Sequence, residues 1–462
     1  MQKVINEITH NESAARELKE IIQKCREHYT IPYDTMQTQS VKRGLRNADG
    51  TGVVAGVTKI ALVHGYLLNE GELEPIDGKL YYRGHSVEDL VEAYVKEDRF
   101  GYEECSYILF FGDLPDKEQL QVFNTIINEN RPLPPRFSED VIMRSPVSDN
   151  IMNIISSSIL SLYAYDDKPD DTSFENVMRQ SIQIMARMPV IAAQAYSVVR
   201  HAHFNESLTL HYPQLGLSTA ENFLRIVRPD SNYTDAEAKL LDLCLVLHAE
   251  HGGGNNSAFT CRVLSSSGTD TYSAISGAVN SLKGPLHGGA NIKVEQMLDD
   301  IKLNVSDWTD EQEVYEYLIK ILKGEASDHS GKIYGMGHAI YTKSDPRAVM
   351  LKKYASNLAK ECGFDKEFRL IELVEKLSPK AFFDYKGNTK NICANVDLYS
   401  GMVYRMLGIP PELYTPLFAI ARVAEWCAHR MEEITTGGRI IRPAYKTAIK
   451  PKIYVPLDQR NI

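Results

Sequence analysis

"YEECSYILFFGDLPDKEQLQVFNTII", residues 102–127, carries the helical pattern that runs through most of the chain. It reads as a helix stopped at Gly112, a Leu114-Pro115 turn, and a second helix. Just upstream, "HSVEDLVEAYVKE" (85–97) offers Ser86 as an N-cap with Asp89 three residues on. It lines Val87, Leu90, Val91 and Tyr94 along one face. The same pattern recurs at 151–162, 174–199, 235–249, 269–282, 310–323 and 411–433. Extended signals are few: "GVTKIALVHGYLL" (56–68) and "PIDGKLYYRG" (75–84) suit one small hairpin with an Asp77-Gly78 turn. There is no internal repeat or low-complexity block. The expected class is mainly α with a small N-terminal β hairpin.

Composition narrows the function. The chain has 462 residues, 43% hydrophobic and 24% charged, enough for a large core. A net charge of -10 argues against a nucleic-acid surface. Seven cysteines stand singly with no CxxC pair, which suits free buried thiols in a reducing compartment. The first twenty residues are too acidic for a signal or transit peptide. No stretch reaches the roughly 18 uninterrupted apolar residues of a membrane span. A cytoplasmic location, with no membrane or nucleic-acid partner, is the expectation. Residues 1–50, with the basic run "SVKRGLR" at 40–46, read as a solvated extension.

Chemistry-bearing residues gather in the C-terminal half. "GPLHGGAN" (284–291) frames His287 with glycines, as where a backbone turns tightly or approaches something closely. "LHAEHGGGNNSAFT" (247–260) carries His248 and His251, with three glycines that would stop a helix and leave His251 near its open end. That pair lacks a cysteine cluster or an HExxH pattern, so no metal is expected. "GMGHAIYTKSDPR" (335–347) holds His338 and Arg347, and "NVDLYSGMVYRMLG" (395–408) opens a helix with Asp397. Arg422 lies in an apolar helical stretch, and Arg442 in "GGRIIRPAY". Taken singly, each has a structural role open to it. His248 suits helix packing, Asp397 an N-cap, and Arg422 a pair with Glu425.

Taken together, these groups match proton abstraction beside a carbonyl with a polyanionic second substrate. A thioester methyl is a very weak acid, so it needs a carboxylate base and a donor for the enolate oxygen. A neutral imidazole at a helix N-terminus can be that donor. A second imidazole can polarise a ketone, and arginines can clamp carboxylates bidentately.

These motifs resemble the citrate synthase family in order and approximate spacing. "YYRGHSVEDL", "YILFFGDLP" and "ENFLRIV" extend the resemblance over roughly residues 50 to 450. It implies a two-domain helical fold, with a large domain at 51–288 and 401–462 and a small one at 289–400. It implies Asp397 as base toward acetyl-CoA, His287 as enol stabiliser, and His338 as proton donor to oxaloacetate. His251, 36 residues before His287, falls with Arg347, Arg422 and Arg442 at the oxaloacetate-binding positions. Arg442 would come from the second subunit of a homodimer. Lys332, Ile333, Gly335, Met336, Gly337, Lys390 and Asn395 match the CoA-binding segments. Acetyl-CoA is then a co-substrate, with no resident cofactor and no metal. Thr342 departs from the pattern, standing where some members have an arginine that helps bind CoA. The resemblance also admits 2-methylcitrate synthase, which uses propionyl-CoA, since one methylene is discriminated by only about 1–3 kcal/mol. A non-catalytic scaffold is disfavoured because His287, His338 and Asp397 are all present.

Overall fold

The 102–127 stretch folds as its residues dictate. A helix over Tyr102–Phe111 ends where Gly112 turns to φ +98°, a left-handed conformation that glycine adopts readily. The next helix, Lys117–Asn130, starts in a capping box in which Asp116 and Gln119 satisfy each other's backbone N–H. The computed structural model describes residues 2, 5, 12–25, 40–47, 51–70, 72–144, 148–387 and 391–460. It divides into two compact units, Val57–Ile441 and Met1–Gly56 with Arg442–Ile462. The latter contains helix α1 (Glu12–Cys25), and its C-terminal segment leaves Tyr445, Ile449, Ile453 and Tyr454 exposed.

The Val57–Ile441 unit opens with an antiparallel sheet of β1 (Ala61–Asn69), β2 (Glu72–Tyr82) and β3 (His85–Ser86), in that order. The hairpin is present, but Asp77-Gly78 is not its turn. The chain reverses between Asn69 and Glu72, and Asp77-Gly78 lies inside β2 where the register shifts opposite His64 and Tyr66. The physical reason is a docking contact. Gly78 N–H donates to the Ser344 carbonyl at 3.1 Å, and a Cβ there would lie 2.2 Å from that oxygen. Asp77 accepts from Lys343 Nζ at 2.9 Å and Ser344 Oγ at 3.1 Å. Gly65 on β1 meets Ile340 equally closely, its Cβ position 2.7 Å from that carbonyl oxygen.

Helices make up most of the described remainder of the unit. They begin with α2 (Val87–Lys96), α3 (Tyr102–Phe111), α4 (Lys117–Asn130), α5 (Ile151–Ser161) and α6 (Phe174–Phe204). Next come α7 (Thr219–Val227), α8 (Asp235–His248), α9 (Asn256–Ser266), α10 (Thr271–Leu282) and α11 (Ala290–Asn304). The set closes with α12 (Glu311–Lys323), α13 (Pro346–Glu361), α14 (Asp365–Lys386), α15 (Asp397–Met406) and α16 (Tyr414–Thr436). α16 is the axis of the core, buried from Tyr414 to Met431 and packed against α3, α6, α8, α9 and α10. Its fully buried Arg430 is satisfied by Thr271 Oγ1, Ser265 Oγ and the Thr269 carbonyl, as a buried cation requires. α6 is long and apolar enough to cross a membrane, but 72% of its most apolar window is buried inside this fold. Five of the described cysteines are buried and Cys362 is exposed.

α11 to α15 pack largely on one another, through α11 with α15, α12 with α14 and α13 with α15. α13 also touches α2 and α8, so these helices join the same compact unit.

Candidate active site

One of the glycines around His287, Gly288, has a geometric cause. After α10 the chain folds back on the helix end. Gly288 N–H donates to the Leu282 carbonyl at 2.9 Å, and a Cβ on Gly288 would lie 2.5 Å from that oxygen. His287 N–H closes the turn onto the Gly284 carbonyl at 2.9 Å. The turn brings His287 Nε2 within 3.1 Å of Ser257 Oγ on α9, which also accepts from Trp426 Nε1 of α16 at 3.1 Å. Burial pushes the His287 imidazole down to about 4, with Arg422 adding to the effect. The ring is neutral near pH 7, and burial is the leading cause.

The glycines after His251 do not stop α8, which ends at His248. Two carboxylates organise the loop instead. His251 N–H donates to Glu425 Oε1 at 3.1 Å, and Gly252 N–H to Glu250 Oε1 at 2.5 Å. The His251 ring meets that of His338 edge-on, with centroids 5.0 Å apart. His338 stacks on Tyr341 at 4.7 Å, and its Nδ1 accepts the backbone N–H of Ile340 and of Tyr341, each at 3.1 Å. A neutral His338 therefore carries its proton on Nε2. Burial, then Arg347, holds His251 far below the ordinary histidine range. His248 is a packed helix histidine, its ring 4.5 Å from that of Phe418.

Two arginines reach this cluster. Arg347, buried near the start of α13, gives Nε and Nη2 to Asp345 at 3.0 and 2.7 Å. Arg422 on α16 gives Nε to the His248 carbonyl at 2.7 Å and pairs with Glu425 Oε2 at 3.0 Å. Its guanidinium lies over the Phe418 ring, 4.6 Å from the centroid. Arg422 Nη2 and His251 Nε2 are buried without a hydrogen-bond partner, as are both ring nitrogens of the adjoining His248.

Asp397 is the first residue of α15. Desolvation pushes its carboxyl up to about 6, with Arg347 and Arg422 opposing and Asp345 adding to the rise. Asn395 ties it to the 335–337 loop. Its Oδ1 accepts Asp397 N–H at 3.0 Å, its Nδ2 donates to the Gly337 carbonyl at 2.9 Å, and its N–H donates to the Gly335 carbonyl at 2.9 Å. Met336 pairs with Ala394 in a short antiparallel bridge, and Gly335, at φ +80°, lies against the Leu398 backbone. Ile333 is buried there and Lys332 is exposed. Lys390 lies outside the described residues, and Arg442 is an exposed residue of the other unit.

Sequence reasoning missed Ser257, Glu250, Glu425 as a loop organiser, Asp345 and Tyr341. Only Asp345 left a readable signal, an Asp-Pro pair at a helix start.

Fold and chemistry together describe a helical enzyme of the acid–base kind, with neutral imidazoles, a raised carboxyl and two buried arginines. The chain belongs to the citrate synthase family. The family described as "Citrate synthase, C-terminal domain" matches residues 47–444. The citrate synthase of Haloferax volcanii is 31% identical over 405 residues, covering 86% of this chain and 98% of its own. The 2-methylcitrate synthase 1 of Corynebacterium glutamicum is 31% identical over 434 residues, covering 92% and 100%. Among solved structures, the citrate synthase of Thermoplasma acidophilum in ternary complex with carboxymethyl coenzyme A and oxaloacetate superposes with a TM-score of 0.73. That match is at 26% identity over 91% of this chain and 99% of the other.

Proposed function

We propose that the enzyme condenses acetyl-CoA with oxaloacetate and hydrolyses the resulting citryl-CoA to citrate and CoA. The observation that carries this reading is the pair of buried, unpartnered nitrogens, Arg422 Nη2 and His251 Nε2, beside the His338 ring. A keto-dicarboxylate satisfies such a set. Arg347 and Arg422 take its carboxylates, and His338 Nε2–H faces the ketone oxygen.

The Asp397 carboxylate removes a proton from the thioester methyl while His287 donates to the thioester oxygen, giving the enol. The enol carbon attacks the ketone carbon, and His338 delivers a proton to the ketone oxygen. Water then cleaves the thioester, and the CoA thiol leaves. Trp426 Nε1 can only donate to Ser257 Oγ, so the serine hydrogen is directed either to Asn255 Oδ1, at 3.0 Å, or to His287 Nε2. Donation to Nε2 leaves the His287 proton on Nδ1, where it serves the substrate. Lys332, Ile333, Gly335, Met336, Gly337 and Asn395 form the CoA cradle in this reading, and helices within 289–400 close over bound oxaloacetate. The enzyme works as a homodimer, with Arg442 of one protomer completing the partner's site. The exposed apolar side chains of the C-terminal segment support such an assembly.

The test is free-thiol release from acetyl-CoA and propionyl-CoA, each with and without oxaloacetate. Oxaloacetate-dependent release, faster with acetyl-CoA, is expected. Equal or faster release with propionyl-CoA moves the enzyme to the 2-methylcitrate branch, which the Corynebacterium relative keeps open. No release from either overturns the reading.

A further inference from the structure

Glu250 and Glu425 stand behind the oxaloacetate clamp and take no part in the steps above. Both are fully buried, and their carboxyl oxygens lie with a ring nitrogen of His429 inside a cluster 4.8 Å across. We infer that they form a carboxyl pair sharing one proton, which sets the grip on oxaloacetate through Arg422 and the backbone of the 251–252 loop. They are positioning residues, and the inference rests on the clamp reading of Arg422 and His251.

The donor inventory leads to the shared proton. Glu425 Oε1 accepts from His251 N–H and Asn255 Nδ2, and Glu250 Oε1 from Gly252 N–H and His429 Nε2. The Oε2 atom of each is buried without a hydrogen-bond donor, Arg422 Nε approaching that of Glu425 only as an ion pair. Two dry carboxylates this close do not both stay ionised, and one proton supplies the missing donor. Burial first, tempered by Arg422, holds both carboxyls above the ordinary range. The other facing groups are fixed. Arg262 of α9 donates Nη2 to His429 Nδ1 at 2.6 Å and pairs with Glu432 and Glu433. Arg83 carries its charge from the turn after β2, and His248 and His251 are neutral. A metal does not fit. His429 Nδ1 accepts from Arg262 and Nε2–H is given to Glu250, leaving the ring no lone pair.

With one proton the pair sets a single negative charge behind Arg422. Losing that proton at alkaline pH adds a second, which weakens the hold on a dianion. Linkage demands the converse, that oxaloacetate binding draws a proton onto the pair.

The experiment compares the intact wild-type enzyme with Glu425→Gln and Glu250→Gln, whose amides keep the hydrogen bonds but cannot share a titrating proton. Three readouts are taken between neutral and alkaline pH. These are KM for oxaloacetate at saturating acetyl-CoA, proton uptake on oxaloacetate binding by calorimetry in buffers of different ionisation enthalpy, and the infrared band of a protonated carboxyl. In wild type, KM rises about fivefold or more with pH while kcat changes less, and binding takes up protons. In either variant that remains folded, the KM rise and the uptake are lost and the carboxyl band changes. A wild-type KM profile reproduced in both variants, or no protonated carboxyl in the wild type, overturns the pair. A normal carboxyl band in an enzyme that shows no oxaloacetate-dependent thiol release overturns the clamp reading instead.

Discussion

Asp397 shows how the site uses an unfavourable burial. Its carboxyl is pushed up to about 6, so it is ionised at neutral pH but remains a better base than an ordinary aspartate. The linkage sign follows. A carboxyl with a raised folded pKa contributes stability fully below its unfolded value near 3.8, and loses it as pH rises through about 6. Asp397→Asn is therefore expected to lower kcat by about 10²–10⁴. The same change should raise stability at pH 7 by about 1–2 kcal/mol, with the gain shrinking near pH 4. Thiol-release assays and denaturant melts at the two pH values check both halves. If the serine hydrogen goes to His287 Nε2 and so holds the imidazole proton on Nδ1, Ser257→Ala is expected to lower kcat about tenfold with KM for oxaloacetate nearly unchanged. An unchanged kcat would remove Ser257 from that role.

At the scale of elements, the hairpin acts as a brace. β1 and β2 press Gly65 and Gly78 against the backbone of Ile340 and Ser344, in the loop that runs from His338 to the start of α13. Asp345 continues the brace by capping α13 and gripping Arg347. Gly78→Ala places a methyl 2.2 Å from the Ser344 oxygen and must push the strand from the loop. The expected result is a stability loss of about 1–3 kcal/mol. It should also bring a several-fold rise in KM for oxaloacetate that exceeds any change in KM for acetyl-CoA. Equal changes in both constants would point to general loosening of the fold.

At the scale of the molecule, two properties follow. If Arg442 completes a partner's site, co-refolding inactive His338→Ala with inactive Arg442→Ala in equal amounts yields hybrid dimers with one intact site. About a quarter of wild-type activity then returns. No recovery, with dimers seen by sedimentation, rules out the shared site. The second property is acid sensitivity. His287 and His429 are held at about 4, and His248 and His251 well below the ordinary value, with burial as the first cause in each. A depressed folded pKa gives stability that is present above the unfolded value near 6.5 and is lost as pH falls toward the folded one. Asp397, Glu250, Glu425 and Asp242, all raised by burial, oppose this with the reverse slope, while Asp166 and Asp345, held low by their partners, add to the loss below about pH 4. The thermal midpoint is expected to fall between pH 6.5 and 4, and to fall less in His429→Gln. A scanning-calorimetry series over that interval tests both.

Helix periodicity, the Gly112 stop and the hairpin were legible in the chain because each depends on residues within a few positions of one another. The glycine frame of His287 was legible as a tight turn for the same reason. The particular turn was not, since it depends on where the Leu282 carbonyl lies. Asp77-Gly78 misled because its dipeptide favours a turn locally, whereas the contact that claims it comes from Ser344, far along the chain. Glu250 and Glu425 were similarly hidden. One lies beside His251 and the other on α16, and only helix packing puts them behind a common clamp. Local chemistry determined the elements and named the reactive side chains. Tertiary structure alone decided their protonation and orientation, because burial and the neighbour across the core set both.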